Sequence, residues 1–277
     1  MVLKRETGSG GNLKLSERKF SMIDGGGLMR AIILAAGFGT RLYPLTKYLP
    51  KALLPLGNKT MLDYLIEPLE KLPMVKEITI MTNSRFYLDF YTWRKNSKYT
   101  KPIYIEEDGV NIPEKRCGAI KDLQLAIESR EKADEDYLIL CSDNFFDFPL
   151  SHFLLPVLSH PHYGFVGLYD VKDTLEATKY GVVQINHEHR IIDFEEKPTS
   201  PKSTLVSVGV YYLPGALKHR LDEYLAQGRP ADKIGDFIGS LSRDEHVYGV
   251  EFEGAWFDIG SIVSYEKARK YLNAPAD

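Results

Sequence analysis

From Met29 onward, short runs of consecutive apolar residues alternate with segments whose apolar positions recur at helical spacing. Nothing else in the sequence constrains the fold as much. Ala31 to Ala36 (AIILAA) has the form of a strand buried on both faces, whereas Thr60 to Leu72 places Met61, Leu65 and Leu69 on one side of a helix. Glu77 to Thr82 returns to strand, Phe86 to Trp93 to helix, and Ile103 to Ile105 to a short strand. Gly118 to Glu128 predicts a helix with Ile120, Leu123 and Ile127 on its apolar face, and Tyr137 to Cys141 (YLILC) another buried strand. Such alternation predicts an α/β fold with a mostly parallel sheet and right-handed crossovers.

The second half is richer in strands. Tyr163 to Tyr169, Val182 to Ile185, Ile191 to Glu195, Leu205 to Tyr212 and Val247 to Phe252 read as extended. His187-Glu188-His189 falls in the turn of a hairpin, and Ile262 to Leu272 reads as a closing helix. These elements predict one domain over residues 29–277 with a mixed central sheet. Residues 1–28 are glycine-rich and polar, with neither the apolar core nor the cleavage site of a secretory signal, and are expected to form a flexible extension.

Composition narrows the function. With 35 Lys+Arg against 38 Asp+Glu, the chain lacks the basic excess of a dedicated nucleic-acid binder. Its two cysteines, Cys117 and Cys141, cannot form a disulfide scaffold or a four-cysteine zinc site, and predict a reducing, cytoplasmic setting. No run approaches the roughly 20 apolar residues that a membrane crossing needs. The aromatic and basic stretch Arg85 to Lys95 reads as a helix with Phe86, Phe90 and Trp93 turned to the core. The pairs His160/His162 and His187/His189 lack a third ligand nearby and read as solvated turns.

The first strand ends in Leu34-Ala35-Ala36-Gly37-Phe38-Gly39-Thr40-Arg41, a glycine-rich turn whose backbone N–H groups can face an anion. It satisfies neither the GxxxxGK[ST] pattern nor G-x-G-x-x-G, because Leu42 stands at the third glycine position. Its continuation is more specific. Gly37 to Leu42 (GFGTRL), then Pro50 to Pro55 (PKALLP), then a helix, resembles the amino-terminal signature of the sugar-1-phosphate nucleotidylyltransferases.

The resemblance extends over about residues 29 to 273. It takes in Cys117-Gly118-Ala119-Ile120, Ser142-Asp143-Asn144, Glu195-Glu196-Lys197-Pro198 with Pro201-Lys202-Ser203, Val208-Gly209-Val210-Tyr211, and Trp256-Phe257-Asp258-Ile259-Gly260-Ser261. It implies a Rossmann-like three-layer sandwich with a mixed, mostly parallel central sheet. It also implies transfer of a nucleotidyl group from an NTP to a sugar 1-phosphate, giving an NDP-sugar and pyrophosphate. By resemblance, Leu34, Ala36, Gly37, Gly39, Thr40 and Gly118 bind the nucleotide, Arg41 holds the departing pyrophosphate and Lys51 contacts phosphate at the reacting centre. Gly181, Glu196, Lys197 and Gly209 bind the sugar phosphate, and Asp143 and Asp258 hold Mg2+.

The chemistry accounts for these residue types. Two anionic reactants must meet, so the protein has to neutralise charge and align groups, and a magnesium ion needs hard oxygen ligands. The attacking phosphate is already ionised at neutral pH, so no general base is required.

The EEKP and PKS segments favour glucose 1-phosphate with dTTP or UTP. The alternatives are GTP with mannose 1-phosphate, CTP with another phosphorylated alcohol, or a non-catalytic nucleotide-sugar-binding regulatory subunit. The expected partners are the two substrates, with no nucleic acid and no membrane, and the family pattern is compatible with a homo-oligomer. Four features depart from that pattern: the long link Glu106 to Arg116, Cys117 before Gly118, Ser142 in place of glycine before Asp143, and the stretch Arg229 to Ile238. The link should supply a base-selecting residue, at Glu106 or Glu107 if at either. Few residues follow Asp258, which predicts no appended β-helical domain.

Overall fold

The computed structural model describes residues 28–130, 132 and 135–273; the expected amino-terminal extension, Leu28 apart, lies outside them. The strands are β1 (Met29–Leu34), β2 (Pro55–Leu56), β3 (Lys59–Thr60), β4 (Val75–Thr82), β5 (Ile103–Glu107), β6 (Asp136–Cys141), β7 (Asn144–Phe146), β8 (Gly164–Asp170), β9 (Gly181–Ile185), β10 (Ile191–Glu196), β11 (Leu205–Leu213), β12 (Val247–Glu251) and β13 (Trp256–Asp258). The helices are α1 (Met61–Glu70), α2 (Tyr87–Asn96), α3 (Ala119–Glu128), α4 (Leu150–Ser159), α5 (Thr174–Ala177), α6 (Lys218–Ala226), α7 (Ile234–Asp244) and α8 (Ile262–Asn273).

A nine-stranded sheet runs β10-β9-β11-β6-β1-β4-β5, with β8 joined to β11 and β12 to β8. β1 is buried throughout and pairs in parallel with β4 and β6, so its unbroken apolar run has protein on both faces. Among the described strands of this sheet, only β11 and β10 run against the others.

The alternation of side chains along β1 divides the core into two. Ala31 and Ile33 pack with Leu62, Leu65, Phe90 and Phe153 from α1, α2 and α4. Ile32 and Leu34 pack on the other face with Ile120, Leu123, Leu221 and Phe237 from α3, α6 and α7. Helices therefore cover both faces, giving three layers. Helix α1 begins as its sequence dictates: Thr60 and Asp63 exchange hydrogen bonds in a capping box.

Three of these helices carry weak sequence signals. In α4, Pro149 precedes the first turn and Pro156 lies inside, so the apolar stretch Phe148 to Leu158 lacks an uninterrupted helical pattern. In α6, only Leu221 and Tyr224 are buried. In α7, Gly235 and Gly239 let the helix approach Phe194 of β10, a contact that overrides their poor helix propensity. No described helix is long and apolar enough to cross a membrane.

Candidate active site

Where β1 and β6 run out into loops, the sheet opens into a cavity of about 430 Å³. The fourteen residues to which the resemblance gives a catalytic, nucleotide, sugar-phosphate or metal role all line it: Leu34, Ala36, Gly37, Gly39, Thr40, Arg41, Lys51, Gly118, Asp143, Gly181, Glu196, Lys197, Gly209 and Asp258. A crevice beyond the carboxyl ends of parallel strands is the usual ligand position in such sheets.

Asp143 and Asp258 come together through a small second sheet. β13 pairs antiparallel with β7, placing Asp258 opposite Asn144, and the Ile259 N–H donates to the Asp143 carbonyl at 2.8 Å. The Asn144 amide donates to Asp143 Oδ1 at 3.1 Å and accepts from Trp256 Nε1 at 2.8 Å. Asn144 and Trp256 thus fix the turn that carries Asp143, roles the sequence motifs did not assign to them. The space for Asn144 exists because Gly209 has no side chain; a Cβ there would lie 2.7 Å from Asn144 Nδ2.

The cations come from the loop after β1. Thr46 Oγ1 donates to the Gly39 carbonyl at 2.7 Å, tying that loop back on itself. Lys51 Nζ lies 3.1 Å from Asp143 Oδ2. Burial works against the Asp143 charge, but Lys51 and then Arg41 more than offset it and hold the carboxyl below its ordinary range. Asp258 goes the other way. Burial and the neighbouring Asp143 charge push it up to about 6, despite Lys51, Arg41 and Lys197. Two carboxylates that resist ionising together, with hard oxygen donors facing a polar cavity, fit a divalent cation.

Glu196 ends β10 and Lys197 follows it, both lining the cavity. A Cβ on Gly181 would lie 2.9 Å from Glu196 Oε2, and one on Gly235 only 2.6 Å from it. Both glycines make room for the carboxylate, which the sequence reading of Gly181 did not include. Burial pushes the Glu196 carboxyl up, against the pull of Lys233, 4.0 Å away, and of Lys197. Lys197 has a left-handed backbone, φ +53°, which costs a non-glycine residue roughly 1–2 kcal/mol. Tyr180 and Trp256, in edge contact at 4.9 Å between ring centroids, line the same cavity.

A family model for nucleotidyl transferases matches residues 30–274. The chain belongs to the nucleotidyl transferase family. It is 28% identical over 244 residues to the bifunctional protein GlmU of Methanocaldococcus jannaschii, across 88% of this chain and 54% of that one. It is 31% identical over 237 residues to a mannose-1-phosphate guanylyltransferase catalytic subunit beta of Dictyostelium discoideum, across 84% and 61%. The chain therefore spans between half and two thirds of the length of these relatives.

Two solved structures share the fold. One, described as a glucose-1-phosphate thymidylyltransferase from Bacillus anthracis in complex with a sucrose, aligns with TM-score 0.73 at 23% identity over 90% of this chain and 97% of its own. The other, a UDP-glucose pyrophosphorylase complexed with UDP-glucose, aligns at 0.72 and 22% over 88% and 98%.

The off-pattern stretch Arg229 to Ile238 contributes Asp232, Lys233, Ile234 and Gly235 to the cavity. Gly118 caps α3 at φ +92°, and a side chain there would overlap the Ala231 carbonyl oxygen. That close approach lets the Ala231 and Asp232 carbonyls accept from Ile120 N–H at 2.9 Å and Ala119 N–H at 3.3 Å. Two of the N–H groups in the first turn of α3 are thereby satisfied by protein. Glu106 and Glu107, the link residues considered for base selection, are not among the lining residues. Pro113, Arg116 and Asp122 are. Asp122 lies inside the predicted helix, and its apolar neighbours gave no signal that it faces a ligand cavity. Burial, then the charges of Asp143 and Asp258, push the Cys141 thiol well up, which disfavours its thiolate.

Proposed function

We propose that this chain transfers a nucleotidyl group from an NTP to a sugar 1-phosphate, releasing pyrophosphate. The observation that carries the reading is the convergence of Arg41, Lys51 and Lys197 with Asp143 and Asp258 around one cavity. Cations suit phosphate oxygens, and the paired carboxylates suit Mg2+. Family membership supports the same reaction class.

The sugar phosphate oxygen attacks the α-phosphorus in line as the bond to the pyrophosphate oxygen breaks. Arg41 and Lys51 lower the repulsion between the approaching anions, Arg41 on the side of the departing pyrophosphate. Lys197 holds the sugar phosphate, and Glu196 accepts hydrogen bonds from sugar hydroxyls. Asp143 and Asp258 would hold Mg2+, which when bound offsets charge on the phosphate oxygens. Alignment and charge neutralisation supply the rate, and no enzyme proton moves.

The EEKP and PKS segments support glucose 1-phosphate with dTTP or UTP. Relatives described as mannose-1-phosphate guanylyltransferases support GTP with mannose 1-phosphate as well. The test is pyrophosphate release with Mg2+, crossing five NTPs against glucose, galactose, mannose and N-acetylglucosamine 1-phosphates. One preferred pair establishes the reaction and names the product. Silence across the grid from protein that still binds a nucleotide-sugar would instead assign a regulatory, binding-only role.

A further inference from the structure

The long link and the cysteine that follows it, two of the departures from the family pattern, meet at one point in space. Asp108 lies just after β5, Cys117 closes the link, and Asp122 stands in the first turn of α3. One ligand atom from each, two carboxylate oxygens and the thiol sulfur, all lie within 4.8 Å of one another. The Asp108 carbonyl oxygen is beside them, 4.0 Å from Cys117 Sγ. Neither Asp108 nor Cys117 lines the cavity that holds Asp143 and Asp258, so this cluster is a separate place in the fold.

Asp122 supplies the observation that points to a ligand. It is only 7% exposed, its carboxylate turns into the cluster, and its Oδ1 is sealed from solvent with no hydrogen-bond partner among the described residues. A buried acceptor left this way costs free energy until something supplies the missing positive charge or donor. The cations next to the cluster in sequence do not. Arg116 pairs with Asp232 at 3.1 Å, and Lys121 Nζ donates to Gln124 at 2.6 Å.

We propose that Asp108, Cys117 and Asp122 bind a divalent metal ion of the zinc type, which fastens both ends of the link to the start of α3. One thiolate and two carboxylates suit Zn2+, which accepts sulfur and oxygen together in a four-coordinate site, whereas Mg2+ and Ca2+ call for oxygen alone. The fourth position falls to water or to the Asp108 carbonyl.

The local field favours the same occupant. Burial, then the charges of Asp108 and Asp232, push the Asp122 carboxyl up to about 7. Burial also raises the Asp108 carboxyl, and burial with the Asp108 and Asp122 charges raises the Cys117 thiol against the pull of Lys121. Binding exchanges protons for the ion: the thiol and the Asp122 carboxyl release theirs as sulfur and oxygen bond the metal. Without the ion, Asp122 is left as a buried carboxyl that holds a proton. Asp108 and Cys117 are partly exposed, which gives the ion a way in. The link carries Pro113 and Arg116 to the cavity wall, so the bound ion restrains part of that wall.

The experiment titrates the full chain with Co2+ and then Zn2+ in excess Mg2+, which occupies sites built from oxygen alone. One Co2+ per chain should bind with a thiolate-to-cobalt absorption band, and Zn2+ should displace it. Cys117→Ser should abolish the band and weaken Zn2+ binding by more than the roughly 10- to 100-fold lost when only a ligand's supporting contact is removed. Asp122→Asn should weaken binding while keeping the band at saturating Co2+. Cys141→Ser should change neither. If the variants at Cys117 and Asp122 do not fold, the spectrum of Cys141→Ser carries the test, because the chain has two cysteines and Cys117 is then its only thiol. The absence of a thiolate band, its loss in Cys141→Ser, or equal Zn2+ affinity in Cys117→Ser and the parent would overturn the assignment.

Discussion

Lys51 Nζ lies 3.1 Å from Asp143 Oδ2, so the loop after β1 and the turn after β6 share one ion pair at the mouth of the cavity. The lysine side chain is 11% exposed and the aspartate 38%, so the aspartate keeps a face open to a ligand while the lysine is largely buried. Lys51→Met should lower turnover by roughly 100-fold or more, the scale seen when a fixed electrostatic contact to the reacting group is removed. Steady-state kinetics on folded variant protein measure this. Turnover within a few-fold of the parent would place Lys51 outside the reaction.

Asp143→Asn and Asp258→Asn should each abolish detectable turnover, because the cation loses a hard ligand. Their stabilities should differ. Asp143 is favoured in its ionised form by Lys51, whereas ionised Asp258 is buried beside a like charge. Asp258→Asn is therefore expected to melt at or above the parent temperature near pH 8 without Mg2+, and Asp143→Asn below it. Differential scanning fluorimetry separates the two, and the reverse order would contradict the assigned electrostatics.

Asp122 imposes a pH dependence on stability. Its folded-state pKa, about 7, exceeds the unfolded value of 3.8, so the native state binds the extra proton. Its contribution is full below about pH 4 and is lost as pH rises through about 7. Asp122→Asn should therefore gain on the parent between pH 4 and pH 8, by a few kcal/mol at most. Urea unfolding at the two pH values would show it, and a constant difference between variant and parent would remove the buried-carboxylate argument.

Lys197→Gly should separate stability from function. Glycine accepts φ +53° without the steric cost, so the variant should gain about 0.5–1 kcal/mol, or roughly 1–4 °C in Tm. Its KM for the sugar phosphate should rise at least tenfold while that for the NTP moves less. Lys197→Ala loses the same charge but keeps the strained backbone, and should show the kinetic change with no thermal gain. A larger effect on the NTP would move Lys197 to the nucleotide side.

At Gly118 an added Cβ meets both a left-handed backbone and the Ala231 carbonyl oxygen. Gly118→Ala should cost about 2–4 kcal/mol and loosen Arg229 to Ile238 from the start of α3. Hydrogen exchange at the Ala119 and Ile120 amides should quicken. Unchanged protection there would show that the contact is not holding the two segments together.

The sheet and most of its helices are legible in sequence because their signals are local. Burial on two faces forces an unbroken apolar run in β1 and β6, and a half-buried helix forces the spacing of α1 and α3. Helices α4 and α7 are illegible for the opposite reason. Prolines and glycines that weaken a local pattern are tolerated where packing against the sheet, or against Phe194, supplies the stability.

The residue types of the candidate site are likewise legible in the motifs, since the proposed phosphate chemistry calls for Arg, Lys and Asp whatever the surrounding fold. How those groups meet was not. Only the pairing of β7 with β13 brings Asp143 beside Asp258. The close approach of residues 231 and 232 to Gly118, with the Arg116–Asp232 ion pair, joins the variable stretch to the start of α3. And Asp122 sits at a position whose neighbours say helix and core, so its orphaned oxygen was invisible in sequence. The sequence specifies residue types and local periods, because those depend on neighbours along the chain. Which groups share a cavity, and which lose their water there, depends on neighbours in space, and that the tertiary structure decides.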